Sequence, residues 1–125
     1  MIIAFDLDNT LCEPIKKSDD VVACLHVEPI PLYVALLKKL KAKGHKIIIF
    51  THRHECTRPT TKLWLVMHKI PHDKLVMGKP KYDILVDDKA LPPYNYLTPK
   101  IVEQYVEHIS HWSWEKGAFK IRREE

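Results

Sequence analysis

The chain has 125 residues, 46% hydrophobic and 29% charged, with a formal net charge of +4. This is the composition of a soluble globular protein, long enough for one domain with a real core, and its apolar stretches are far too short to cross a bilayer. The mild positive excess suits an anionic substrate such as a phosphate ester, whereas no RGG run, RNP-like aromatic motif or long basic tract marks a nucleic-acid-binding module.

In chain order, Met1 to Leu7 reads as a first strand. No basic leader precedes it, so no signal or transit peptide is expected and cytoplasm is the expected location. Residues 12–31 read as irregular, punctuated by Pro14, Pro29 and Pro31, with Val21 to Val27 a short strand or helical turn. Pro31 to Lys43 reads as a helix with Leu32, Ala35, Leu36, Leu37 and Leu40 on its apolar face, closed by Gly44. A second strand spans Lys46 to Thr51. A helix from about Pro59 to Lys69 carries Leu63, Leu65, Val66 and Met67, and Pro71 stops it. Leu75 to Met77 and Ile84 to Asp87 are two further strands. Leu91 to Pro99 is a loop, and Pro99 to Ser110 a helix with Ile101, Val102, Tyr105, Val106 and Ile109 on one side. Residues 111–125 form a C-terminal tail in which Ala118 to Ile121 suits an edge strand. This β-α-β-α-β-β order predicts an α/β fold with right-handed crossovers.

Three apolar runs end in polar side chains. Ile2 to Phe5 leads into Asp6-Leu7-Asp8-Asn9-Thr10, Ile47 to Phe50 into Thr51-His52-Arg53, and Ile84 to Val86 into Asp87-Asp88-Lys89. Strand alternation points Asp6 and Asp8 the same way. Two acids at the end of a buried strand repel each other, and are tolerable where a cation neutralises them or one keeps its proton. A hard cation such as magnesium is the expected partner. In a parallel sheet the three run ends meet at the carboxyl edge, where open α/β folds place their ligands. Asp6, Asp8, Thr51, Arg53, Asp87 and Asp88 are therefore expected to share one pocket, with Lys79 adding a cation.

Asp6-x-Asp8-x-Thr10 resembles the first motif of the haloacid dehalogenase-like (HAD) phosphohydrolases. Thr51 looks like their second motif, Lys79 like the third and Asp87-Asp88 like the fourth, in family order from Met1 to about Leu91. The stretches Ile47 to Arg53 and Met77 to Ala90 resemble a small, nearly capless group associated with bacterial capsule and surface-polysaccharide genes. His52 departs from that group, which often has a small residue there. The resemblance implies a Rossmann-like parallel sheet of strand order about 3-2-1-4 with a minimal cap, in a single domain over 1–125, residues 12–31 serving as a flap.

The resemblance also implies a magnesium-dependent phosphatase working through an aspartyl-phosphate. Asp6 would be the nucleophile and Asp8 the general acid and base. Thr51 would donate to the phosphoryl group and Lys79 would hold its charge. Asp6, Asp87 and the backbone carbonyl of Asp8 would hold Mg2+, and Asp88, weighted below Asp87, would bind it directly, bind it through water, or orient Lys79. Arg53, Asn9 and His52 would face the substrate, Arg53 as a clamp on the leaving group. Lys81 is the rival of Lys79, and Arg53 reads equally as a surface charge.

The expected substrate is a small sugar phosphate, with a nucleotide or a nucleic-acid end as the alternative. A nuclease of the PIN type and a non-catalytic binding domain are rival classes. No membrane partner is expected, and a homo-oligomer is compatible with the open site. Cys12, Cys24 and Cys56 match no zinc or redox spacing and are expected to be reduced thiols. His108 and His111 are weak evidence for zinc, and Trp112 and Trp114 suit packing better than stacking on a ligand.

Overall fold

The computed structural model describes residues 1–91 and 98–110. They fall into two compact units, Met1–Ala90 and Leu91–Glu125. In the first unit, β1 (Ile2–Phe5) is followed by α1 (Val21–His26), α2 (Pro31–Ala42), β2 (Lys46–Phe50), a 3-10 turn at Glu55–Thr57, α3 (Arg58–Met67) and β3 (Lys74–Val76). The second unit contributes α4 (Pro99–Ser110), where the apolar spacing places it.

The sheet is parallel throughout, in the order β1-β2-β3. Ile2 pairs with Lys46 and Phe5 with Ile49, while Ile48 pairs with Lys74 and Phe50 with Val76. The central strand is covered on both sides, and its apolar run reflects that. Its Ile47 and Ile49 are fully buried. Asp73 fastens β3 to β2 at their start: its carboxylate accepts from the Ile47 N–H at 2.7 Å and from Lys41 Nζ at 2.8 Å.

Residues 21–27 resolve into a helix. Asp20 caps it, accepting from the Ala23 N–H at 3.0 Å, which satisfies one of the orphan donors of a helix start. Pro31 opens α2 and Gly44, at φ +93°, ends it in the left-handed conformation glycine tolerates. The buried side chains of α2 are Val34, Leu36, Leu37 and Leu40; the expected Leu32 and Ala35 lie exposed. In α3 the inward face is Thr61, Trp64 and Leu65. Leu63, Val66 and Met67, expected on the apolar side, are exposed. The reason is Trp64: fully buried, with Nε1 donating to the Val27 carbonyl at 2.8 Å, it sets the rotation of α3 against α1.

No fourth strand forms over Ile84 to Asp87, so the described sheet is 3-2-1. Ile84 and Val86 are 81% and 95% exposed. The apolar run is present, but a parallel strand is worth forming only where both its faces are covered, and Ile2 on neighbouring β1 is itself 68% exposed. The edge strand expected at Ala118 to Ile121 lies outside the described residues, as do Trp112 and Trp114.

Candidate active site

The turn after β1 is built on one carbonyl. Leu7 O accepts from the N–H groups of Thr10 at 3.2 Å, Leu11 at 2.8 Å and Cys12 at 3.1 Å. Asn9 adopts φ +63° to close it, a conformation asparagine reaches more easily than most residues. Leu7, Leu11 and Cys12 turn inward and are fully buried. Alternation then sends Asp6 and Asp8 to the other side, where both line a cavity of about 530 Å³ together with Ile15, Lys16, Ser18, His52, Arg53, Lys81, Tyr82 and Asp83.

Residues 12–31 contribute Ile15, Lys16 and Ser18 to that cavity. Their excursion is closed at its base, where Glu13 N–H donates to Glu28 O at 2.9 Å and Ile30 N–H to Leu11 O at 2.8 Å. Its tip is tied to the loop after β2 by His54 N–H on Ser18 O at 2.9 Å.

The ends of β2 and β3 are laced together beyond the strands themselves. Thr51 N–H donates to Val76 O at 3.0 Å, Lys79 N–H to Thr51 O at 2.9 Å and Gly78 N–H to Arg53 O at 3.0 Å. Gly78 makes the turn at φ +71°. This lacing delivers the Lys79 ammonium to 3.7 Å from Asp6 Oδ1. The ammonium also lies 5.0 Å from the centre of the Phe50 ring and 5.6 Å from that of Tyr82, within the range where aromatic faces attract cations. His52 Nδ1 lies 2.7 Å from the Lys79 carbonyl, and its ring meets Tyr82 edge-on at 5.3 Å.

The two acids have different surroundings. Burial pushes the Asp6 carboxyl above the usual carboxylate range; Lys79 and the Leu7 N–H, at 2.9 Å from Oδ1, oppose the rise, and Asp8 adds to it. Asp8 is gripped by Arg53, with Nη2 at 2.7 Å from Oδ1 and Nε at 3.0 Å from Oδ2. Cys12 Sγ lies 3.3 Å from Asp8 Oδ1, and burial pushes its thiol up, keeping it a neutral donor.

Arg53 is 0% exposed. Its Nη1 donates to Thr61 Oγ1 at 3.1 Å and to the Cys24 carbonyl at 3.4 Å. Burial disfavours the guanidinium charge, and Asp8 more than offsets this, holding Arg53 above the usual guanidinium range. Thr51 is also sealed from solvent, its hydroxyl accepting from the Arg53 N–H at 3.1 Å.

The structure thus brings Asp6, Asp8, His52 and Arg53 to one cavity and Lys79 to Asp6. Asn9 is exposed on the turn beside them. Asp87 and Asp88 are not brought there: both are exposed, and Asp87 Oδ1 accepts from the Lys89 N–H at 2.8 Å in a local turn. Among the described residues no group of three or more His, Cys, Asp or Glu side chains stands ready for a metal. Thr61, Cys24 and Tyr82 are neighbours that motif reading passes over. Thr61 had a usable signal, since Thr57, Thr61, Trp64 and Leu65 follow helical spacing. Tyr82 had none.

A Vibrio cholerae protein solved as a structural-genomics target superposes with a TM-score of 0.65 at 24% identity, over 86% of this chain and 98% of its own. The chain shares that protein's fold. Two chains from structures of the Pnkp1/Rnl/Hen1 RNA repair complex also superpose, each with a TM-score of 0.52. One is 27% identical over 70% of this chain and 30% of its own, the other 24% identical over 86% and 31%. The chain therefore spans about a third of the length of those RNA-repair chains. No family profile and no curated protein matches it. None of the described helices is long and apolar enough to cross a membrane.

Proposed function

We propose that the chain is a phosphatase that hydrolyses a phosphate monoester through an aspartyl-phosphate on Asp6. The observation that carries this reading is the pair of carboxylates on one cavity with different partners, Asp6 beside the Lys79 ammonium and Asp8 locked to Arg53. In the first half-reaction an Asp6 carboxylate oxygen attacks phosphorus and the bond from phosphorus to the leaving oxygen breaks. That oxygen takes a proton from Asp8. In the second half a water attacks the phosphoryl group, its proton passes to Asp8, and the bond from phosphorus to Asp6 breaks, releasing phosphate and restoring both acids. Lys79 offsets the charge that gathers on the phosphoryl oxygens.

The donor set at the cavity suits magnesium in part. Asp6 and the Asp8 backbone carbonyl would hold it, and magnesium commonly keeps several waters and few protein ligands. When bound, the ion would neutralise charge shared by the attacking carboxylate and the phosphoryl oxygens. Asp87 is the proposed third ligand and Asp88 the weaker candidate, which requires residues 84–88 to come alongside β1.

A small sugar phosphate is the first substrate reading, from the subgroup resemblance. A phosphorylated nucleic-acid end is the second, favoured by the 27% identity to a chain of an RNA repair complex and by the net charge of +4. Phosphate release from sugar phosphates, nucleotides and 3′- or 5′-phosphorylated oligonucleotides, with and without magnesium, tests both. Metal-dependent release that disappears in Asp6→Asn is the expected result, and the best substrate chooses between the readings. Release that persists undiminished in Asp6→Asn contradicts the mechanism.

A further inference from the structure

The sequence reads Arg53 equally as a clamp at the substrate or a surface charge, and the structure buries it against protein acceptors. The guanidinium is fully buried and its nitrogens face protein atoms: Asp8, Thr61 and the Cys24 carbonyl. Arg53 borders the cavity, but each of its three guanidinium nitrogens already donates to a protein acceptor. What Arg53 controls is the carboxylate of Asp8, contacted by two nitrogens from α3's side of the loop.

We infer that Arg53 is a positioning residue that holds Asp8 in place for the second half-reaction, the hydrolysis of the aspartyl-phosphate. Both Asp8 oxygens accept N–H bonds from Arg53, Oδ1 at 2.7 Å and Oδ2 at 3.0 Å. The fork-on-carboxylate geometry fixes the plane of the group as well as its distance. Thr61 and the Cys24 carbonyl hold the far end of the guanidinium, so the orientation is set by α1 and α3 rather than by a substrate. The inference rests on the phosphatase reading above.

The test uses the full chain with magnesium and p-nitrophenyl phosphate, whose good leaving group needs little proton donation and so isolates the second half-reaction. Wild type, Arg53→Met, Arg53→Lys and Asp6→Asn are compared by steady-state and rapid-mixing kinetics, with thermal melts recording that each is folded. In Arg53→Met, kcat is expected to fall about 100-fold, the lower end of what a positioned base supplies. KM should fall in parallel, so that kcat/KM changes by less than about threefold, because dephosphorylation alone has slowed. A burst of p-nitrophenol equal to the enzyme sites should precede the slow phase. Arg53→Lys keeps the charge without the fork and should show the same signature with a smaller loss, and it carries the test should Arg53→Met not fold.

A general loss of structure would instead lower kcat/KM and give no burst. That outcome, or unchanged kinetics in both variants, overturns the positioning role while leaving the phosphatase reading standing. Full turnover in Asp6→Asn, or no p-nitrophenol from wild type, overturns the phosphatase reading and the positioning role with it.

Discussion

Trp64 gives the junction of α3 with the end of α1 both burial and a hydrogen bond, its indole N–H on the Val27 carbonyl. Truncating it removes the largest fully buried side chain among the described residues and leaves that carbonyl unpaired. Trp64→Ala should cost about 3–5 kcal/mol in denaturant unfolding. Leu63→Ala, at a neighbouring position that is 50% exposed, should cost under about 1 kcal/mol. The opposite order would mean that α3 is rotated by a third of a turn, the face suggested by Leu63, Val66 and Met67. Residue by residue, the site was legible where local geometry decides it. Two-residue alternation after β1 was enough to place Asp6 and Asp8 together. Arg53 was not legible, because whether an arginine is a clamp, a surface charge or a buried strut depends on Asp8, Cys24 and Thr61, and Asp8 lies far away along the chain. Thr51 is similar: the motif marks it, but the hydroxyl's contact with the Arg53 N–H appears only once the turn is folded.

Elements with their own capping and periodic signals emerged close to expectation. Pro31 and Gly44 bound α2, apolar spacing defines α4 to its last residue, and β1, β2 and β3 differ from their predicted spans only at the ends. Ile84 to Val86 failed because a short apolar run is compatible with a buried parallel strand without being sufficient for one; pairing and cover come from elsewhere in the chain. The short β3 shows what supplies pairing instead, since Asp73 secures its start by a carboxylate. Lys41 and the Ile47 N–H hold the Asp73 carboxyl below its usual range. A depressed carboxylate contributes stability above its unfolded value of about 3.8, and that contribution is lost as pH falls through the lower folded value. Asp73→Asn should therefore melt below wild type at pH 7, and the gap should close progressively below about pH 4 in melts across the acid range. A gap independent of pH would assign the effect to the lost Ile47 bond alone.

At the scale of the molecule, the fold delivers one concave, two-acid site at the carboxyl edge of a parallel sheet, where open α/β folds bind ligands. Residues 12–31 contribute Ile15, Lys16 and Ser18 to its wall. The proposed metal shell is the part that lies furthest from this arrangement, since Asp87 and Asp88 stand in solvent. Asp87→Asn should raise the magnesium concentration for half-maximal activity by about tenfold or more, with a smaller change in Asp88→Asn; even outer-shell partners commonly cost that much. Equal indifference of both variants would remove residues 84–88 from the metal site and leave Asp6 and the Asp8 carbonyl as its protein donors.

In the proposed mechanism Asp6 carries the phosphoryl group during turnover. Acid quenching of the enzyme during reaction with p-nitrophenyl phosphate and magnesium, followed by peptide mass analysis, reads this directly. One phosphoryl group is expected on the peptide that contains Asp6, more abundant in Arg53→Met and absent from Asp6→Asn. A phosphoryl group on another residue, or steady release of phosphate by Asp6→Asn, would contradict it.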